Sequence, residues 1–441
     1  MAEARRLAPA YLWMLASTGV LNLAMVLYHR FASASLGEGY AQLAVVLGLT
    51  NISVVVSGGL AAYTAKVFAA DAIAAGAGGV RARLGRIAVP FGLGLLALAA
   101  LLAAGGPLLI SYLRLPGGTI YAAGVAIVLA ILLESAVRSA VQGLQRFGAL
   151  GWSLVAEGAG RVGLCAALVA AGLGVHGALL AWVGAALLGT LLCVPPLAAL
   201  PRPTAPLLSQ GSRQRLADAA FDAACLGLLS LLYYLDLFVI KHHGGDAVAA
   251  SYSRAALVAK CLLYAPSAVV LVLLPAVAAA RAAGRDPRPL LYKALGVTAA
   301  ILALGLAVIL LLTEPVAVLL CGDVAGVRAL APLIRSMAWA VVPLALYQIV
   351  VFHQVAVSQK SLILQEIVVV VLYVAVLELW HDTPEQVVAC LGVCATMALA
   401  MGLGTAAVRR AGSGRAGAGG LAVSSPPGRN NTSCRSGRRD W

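Results

Sequence analysis

Charged side chains interrupt otherwise apolar stretches of this sequence at helical spacing, and they are the groups with chemistry to offer. Arg161 follows Glu157 by four residues near the middle of the stretch 151–173, so on a helix the two share a face and can pair. The same guanidinium has a second use, because its planar fork grips two phosphate oxygens at once. Glu134 and Arg138 repeat the spacing at the end of 119–141, where long side chains snorkelling to an interface account for them. Asp218, Asp222 and Asp236 fall within about 40° of one another on a helical wheel, together with Cys225 and Leu229. That stripe is acidic at its ends and apolar between. A carboxylate in a partly dry cleft can take up and release a proton, which makes Asp222 and Asp236, with Glu157, candidates for coupling to an ion. The alternatives for the two aspartates are a solvated cleft wall or pairing with a neighbouring helix. Lys260 lies deep in its stretch and either lines a cleft or pairs with an acid of 216–240, whereas Arg254 sits about a turn from the end. Arg335, Trp339 and His353 share one side of 329–356, with Pro343 between them to kink it. Arg30 closes the first stretch, where an interfacial anchor accounts for it.

The elements that hold these groups are long and apolar. The 441 residues are 62% hydrophobic and 11% charged, with mean hydropathy +0.96, where soluble domains carry about 25% charged residues. Crossing about 30 Å of hydrocarbon takes about 20 residues. Stretches of that kind cover 8–29, 40–62, 87–112, 119–141, 151–173, 176–200, 216–240, 251–280, 294–312, 329–356, 361–380 and 385–408. In lipid the backbone must bond to itself, so each reads as a helix, and the fold class is all-α and polytopic. A break near Pro195–Pro206 divides twelve spans into two sets of six. The expected organisation is a lobe over 1–200, a linker over 201–215, a second lobe over 216–408 and a disordered basic tail over 409–441. Of the 31 Lys and Arg residues, 23 fall in the ends and one set of loops, 4 in the other set and 4 inside spans. That bias orients both ends to the cytoplasm of a plasma (inner) membrane, and it accounts for the net charge of +14 without a nucleic-acid partner. The first apolar run is too long for a cleaved leader, and the cysteines within spans read as small buried apolar residues, not metal ligands.

No nucleotide-binding phosphate loop, dinucleotide fingerprint, His-Glu-x-x-His or Gly-x-Ser-x-Gly occurs, so no cofactor, metal or catalytic residue is expected and the chain does not read as an enzyme. Energy would have to come from an ion gradient, H⁺ or Na⁺, or from the substrate's own gradient. A weak internal repeat supports duplication. Tyr28-His29-Arg30 leading to Tyr40-Ala-Gln-Leu-Ala44 parallels Ile240-Lys241-His242 leading to Tyr252-Ser-Arg-Ala-Ala256, at an offset of 212 residues. Two parallel lobes of six spans leave a cleft at their interface, where transporters place substrate.

Gln142 through Ala178, with Arg146-Phe147 in the loop after the fourth span and the turn Gly172-Leu173-Gly174-Val175, resembles the oligosaccharide flippases of the multidrug/oligosaccharidyl-lipid/polysaccharide (MOP) exporter superfamily. Arg30 through Ala44 and Leu235 through Ala256 are similar to it as well, and the likeness spans roughly 8–408. The resemblance implies a V-shaped pair of six-helix lobes. It implies a protein that flips a polyprenyl-pyrophosphate-linked oligosaccharide from the inner to the outer leaflet for polysaccharide biosynthesis, beside membrane lipids and a polysaccharide polymerase partner. Many members have fourteen spans against twelve here. Arg161, Lys260, Arg254, Arg335 and Arg30 are then the candidates to contact pyrophosphate. Two other readings stand beside it. One is a multidrug or organic-cation extruder of the same superfamily, whose cleft should be acidic and aromatic. The other is a membrane-embedded glycosyltransferase or polymerase, which needs a large external loop that the span boundaries leave no room for.

Overall fold

The fold comes from a computed structural model, which describes residues 2–201, 212–264, 269–270, 273, 276–277, 280, 285–323, 326–357 and 359–416. Asp218 and Lys66 lie on described backbone, but their side chains are outside what is described, as is most of the expected linker and tail. Among the described residues there are helices and turns and no strand. The helices are α1 (Ala2–Leu36), α2 (Gly39–Tyr112), α3 (Gly118–Gly143), α4 (Phe147–Leu168), α5 (Gly174–Ala198), α6 (Ser212–Ala259), α7 (Arg288–Leu311), α8 (Thr313–Cys321), α9 (Ala331–Ala356), α10 (Leu362–Leu379) and α11 (Pro384–Ala416). A π-helical turn at Val169–Leu173 joins α4 to α5. Among the described residues, eight helical stretches are long and apolar enough to cross a membrane. The exposed Leu93, Leu96, Leu101 and Leu108 of α2 show how their outer faces suit lipid.

Two of these helices, α2 and α6, are hairpins. Residues 12 apart on a straight helix are about 18 Å apart, yet Arg83 Nε lies 2.7 Å from Asp71 Oδ2 within α2. The helix therefore doubles back between them, at Gly76, which has φ +63°. Likewise α6 reverses at Gly245 (φ +75°), so that Lys260 returns to within 2.7 Å of Asp236. Only glycine takes such positive φ at low cost. Counting both legs of α2 and α6 and leaving out the short α8, the described residues give twelve long helical legs; the span expected over 251–280 is described continuously only as far as Tyr264, and most of it beyond that lies outside the described residues. Two boundaries differ from expectation: α6 begins at Ser212, inside the expected linker, and α11 runs past 408 to Ala416.

In the first half α4 packs on α1 and α5, and α3 on α2 and α5. In the second half α9 packs on α11, α6 and α7, and α10 on α6 and α11. The result is two six-helix lobes around a central cleft. They meet through α2 on α6 and α1 on α8. The internal repeat reappears in that meeting. Gln42 Nε2 donates to Asp246 Oδ2 at the turn of the second lobe (3.1 Å). Arg254, 212 residues after Gln42, donates to Gly37 O (2.8 Å) and Ser33 Oγ (3.1 Å) at the turn of the first. Each lobe grips the other's turn from positions 212 residues apart, the offset of the weak repeat.

Candidate functional site

The first charged group lies inside the first lobe. Glu157 on α4 pairs with Arg161 one turn on, and its other oxygen receives Arg138 Nη1 from α3 at 2.8 Å. Arg138 also lies 3.0 Å from Glu134 Oε1 and donates from Nε to Ser153 Oγ (2.8 Å). Two cations and two anions thus alternate in a buried row. Arg161 also lies over the Trp182 ring, 3.8 Å from its centroid, and its Nη1 contacts Met25 Sδ at 2.6 Å. At 5% exposure Arg161 is enclosed by its own lobe. The expected interfacial snorkelling of Glu134 and Arg138 does not occur: Glu134 is buried and Arg138 turns inward, because Glu157 offers it a carboxylate that a lipid interface does not.

The second group belongs to the hairpin of α6. Lys260 Nζ donates to both oxygens of Asp236 (2.8 and 2.7 Å) and to Tyr233 O (2.6 Å), and Tyr252 OH donates to Asp236 Oδ2 (2.7 Å). Of the two readings of Lys260, pairing with an acid of 216–240 is therefore realised. Asp236 is fully buried, whereas Asp222 is only half-buried, so residues on one wheel stripe meet different surroundings. Tyr234 lies 6.0 Å from Lys260 Nζ and hydrogen-bonds to Asn51 of α2.

Contacts between lobes collect at one end of the bundle. Besides the reciprocal pair above, Lys241 pairs with Asp246 and donates to Arg114 O (3.4 Å). Arg30 Nη1 donates to Leu319 O (2.6 Å), and Tyr112 OH donates to Glu378 Oε1 (3.3 Å). Gly48 faces Phe238 and Tyr234 so closely that a Cβ there would lie 3.1 Å from Phe238. This sealed end carries the loops poor in basic residues. Inward from this end the described contacts reach Asn51 and Tyr234, whose ring centroid lies 6.0 Å from Lys260 Nζ.

The remaining expected residues are apart from these groups. Arg335 is exposed and donates from Nε to Thr313 Oγ1 (2.9 Å). Trp339 is exposed while His353 is buried, and Pro343 lies inside α9 between them. Sequence reasoning missed Glu366, fully buried in α10, which accepts from Tyr347 OH (2.9 Å). Around it Gln365 Nε2 donates to Tyr347 OH (3.1 Å) and Thr405 Oγ1 to Gln365 Oε1 (3.2 Å). A signal was available: a carboxylate within an apolar span costs about 2.5–3.5 kcal/mol and demands a reason. The Lys241–Asp246 latch was missed for the opposite reason, since both read as ordinary loop charges.

No protein-family model and no curated protein matches the sequence. Solved structures do. An inward-facing structure of a multidrug resistance MATE family transporter of the MOP superfamily superposes with TM-score 0.73 at 14% identity, over 90% of this chain and 95% of that one. The fold is that of the MATE transporters. The outward-facing structure of a MATE transporter of the same superfamily gives 0.59 at 16% identity, over 93% and 96%. The lipid II flippase MurJ, in an inward closed conformation, gives 0.66 at 12% identity, over 90% and 87%. The MATE fold makes this chain a multi-pass membrane protein with its lobes around a cleft, as the sequence led us to expect.

Proposed function

We propose that the chain is a membrane transporter that flips a polyprenyl-pyrophosphate-linked oligosaccharide by alternating access, with lobes 1–200 and 216–408 rocking about the cleft and both ends in the cytoplasm of the plasma membrane. The observation that carries this reading is the place of Lys260. It is a cation held by Asp236 and the Tyr233 carbonyl in the second lobe's hairpin, beside the ring of Tyr234, which bonds across to Asn51 of the first lobe. An ammonium there can bind phosphate oxygens, and phenols can bond to sugar hydroxyls. Asp236 neutralises Lys260 between cycles, so the pair opens when an anion arrives and closes behind it. The sealed end, and the better superposition on the inward-facing MATE structure, support a resting state open to the cytoplasm. In this reading Arg161 and Glu157 hold the first lobe's shape, Arg254 and Arg30 close the outer end, and Glu366 and Asp222 are the acids available for coupling to H⁺ or Na⁺.

A second reading, extrusion of an organic cation, draws on the carboxylates Asp222, Asp236 and Glu366 of the second lobe. Reconstitution separates the two. Liposomes holding the protein and a fluorescent pyrophosphate-linked glycolipid should expose the label to an external quencher, and Lys260→Ala should abolish this. If the wild type leaves the glycolipid in place but carries an organic cation, or if Lys260→Ala flips at the wild-type rate, the first reading fails.

A further inference from the structure

At the sealed end, three side chains with metal-binding atoms converge. His243, at the α6 turn, Glu378, in the last turn of α10, and His381, just beyond it, each place one ligand atom so that all lie within 4.8 Å of one another. His243 Nε2 and Glu378 Oε2 are 3.5 Å apart. Around a tetrahedral Zn²⁺ with bonds near 2.0–2.1 Å, two ligand atoms are separated by about 3.3 Å, so this edge is already close to the required length. His243 precedes Gly244 and Gly245, which leaves its backbone freedom to adjust. The rings of His243 and His381 stack with centroids 3.6 Å apart, and they must swing apart to about 5 Å to share a tetrahedral ion with the carboxylate.

The surrounding hydrogen bonds prepare these ligands. The Nδ1 of His381 lies 3.2 Å from the Leu377 carbonyl oxygen. A carbonyl only accepts, so Nδ1 carries the proton and Nε2 keeps its lone pair for a metal. The other oxygen of Glu378 accepts from Tyr112 OH of the opposite lobe (3.3 Å). Tyr112 in turn stacks on His242, centroids 4.2 Å apart and rings nearly parallel at 9°, and its carbonyl receives His242 Nδ1 at 2.5 Å. Outer-shell bonds of this kind orient metal ligands and set their basicity.

We propose that His243, Glu378 and His381 form a binding site for a borderline divalent cation, Zn²⁺, on the sealed face, and that occupancy favours closure of that face. Two imidazole nitrogens with one carboxylate oxygen suit Zn²⁺ and not the oxygen-seeking Ca²⁺ or Mg²⁺. His243 and Glu378 are exposed and His381 half-buried, so the ion has an open approach and a fourth position for water. Closure follows from linkage: the Tyr112–Glu378 bond joins the lobes only when the face is sealed, and a metal that favours that arrangement is favoured by it in return.

The test is a titration of the full chain, purified in detergent with any affinity tag removed, against ZnCl₂ by calorimetry; it needs no transport substrate, so it stands or falls apart from the flippase reading. One ion per chain is expected, with no heat from CaCl₂ at the same concentrations. His243→Gln combined with His381→Gln should abolish binding, and Tyr112→Phe should weaken it by about tenfold. X-ray absorption at the zinc edge of the wild type should count two imidazoles, which protects the test should the double variant fold poorly. Unchanged affinity in a folded double variant, or fewer than two imidazoles around the metal, overturns the site. Unchanged affinity in Tyr112→Phe overturns its link to closure.

Discussion

The row Glu134–Arg138–Glu157–Arg161 makes a prediction whose sign is unusual. Glu157 is the hub, holding Arg138 with one oxygen and Arg161 with the other. Glu157→Gln removes one negative charge and leaves two guanidiniums beside Glu134 alone, a net positive charge inside the first lobe. The side chains of Glu157 and Arg161 are 7% and 6% exposed, so solvent offers little screening. Unit charges about 4 Å apart at an effective dielectric of about 20 interact by about 4 kcal/mol, and breaking a buried pair costs about 3–5 kcal/mol. Glu157→Gln should therefore lose roughly that much. Adding Arg161→Met to it restores neutrality, since Arg138 keeps Glu134, while a Met side chain still packs against Trp182 and Met25. The loss of the cation–π contact costs about 1–2 kcal/mol, so the double variant should be more stable than Glu157→Gln alone by roughly 2–3 kcal/mol. The assay is loss of monodisperse protein on heating in detergent, followed by size-exclusion fluorescence across a double-mutant cycle. Simple additivity of the two substitutions would refute the idea that the row is a coupled network. The flipping rate of the double variant decides a further point: activity near the wild type makes Arg161 a residue of architecture and not a phosphate ligand.

Other outcomes follow from the seal. Arg254→Gln removes the guanidinium that bonds to the turn at Ser33 and Gly37; hydrogen bonds to charged groups contribute about 1.5–3 kcal/mol, so the closed outer end should become roughly 10- to 150-fold less favoured. Labelling of an introduced Gln42→Cys by an impermeant maleimide should accelerate accordingly, and no change would count against Arg254 as a gate residue. Gly48→Leu pushes the rings of Phe238 and Tyr234 aside from a position with no room even for a Cβ at ordinary contact distance. It should produce the same faster labelling together with loss of flipping. Lys260→Met leaves Asp236 buried with only Tyr252 as a hydrogen-bond donor, and Lys260→Met with Asp236→Asn should recover stability but not transport, as melting and the glycolipid assay would show.

How much of this was legible beforehand differs from residue to residue. Glu157 with Arg161 was readable because i,i+4 spacing on a helix is a local matter, decided by the chain's own geometry. Lys260 was left with two readings, since its partner lies 24 positions away and only the reversal at Gly245 brings Asp236 to it. Arg138 was assigned to the interface because nothing local shows that α3 and α4 pack with Glu157 between them. Asp222 and Asp236 share a wheel stripe, but a wheel shows angle and not the depth of neighbouring helices, so it could not distinguish a half-buried acid from a fully buried one.

By itself the sequence determined that the chain crosses a membrane many times as helices, because apolar length and the backbone's need for internal hydrogen bonds leave no other solution. It also showed the alternation of basic and non-basic loops and a weak repeat, whose offset of 212 residues reappears as Gln42 and Arg254 gripping opposite turns. Tertiary structure alone decided which charges neutralise one another, which end of the lobes is closed, and that His243, Glu378 and His381 meet. Those facts depend on distances between helices remote in sequence, where burial makes an unpaired charge costly and so selects its partner from whatever the packing brings near.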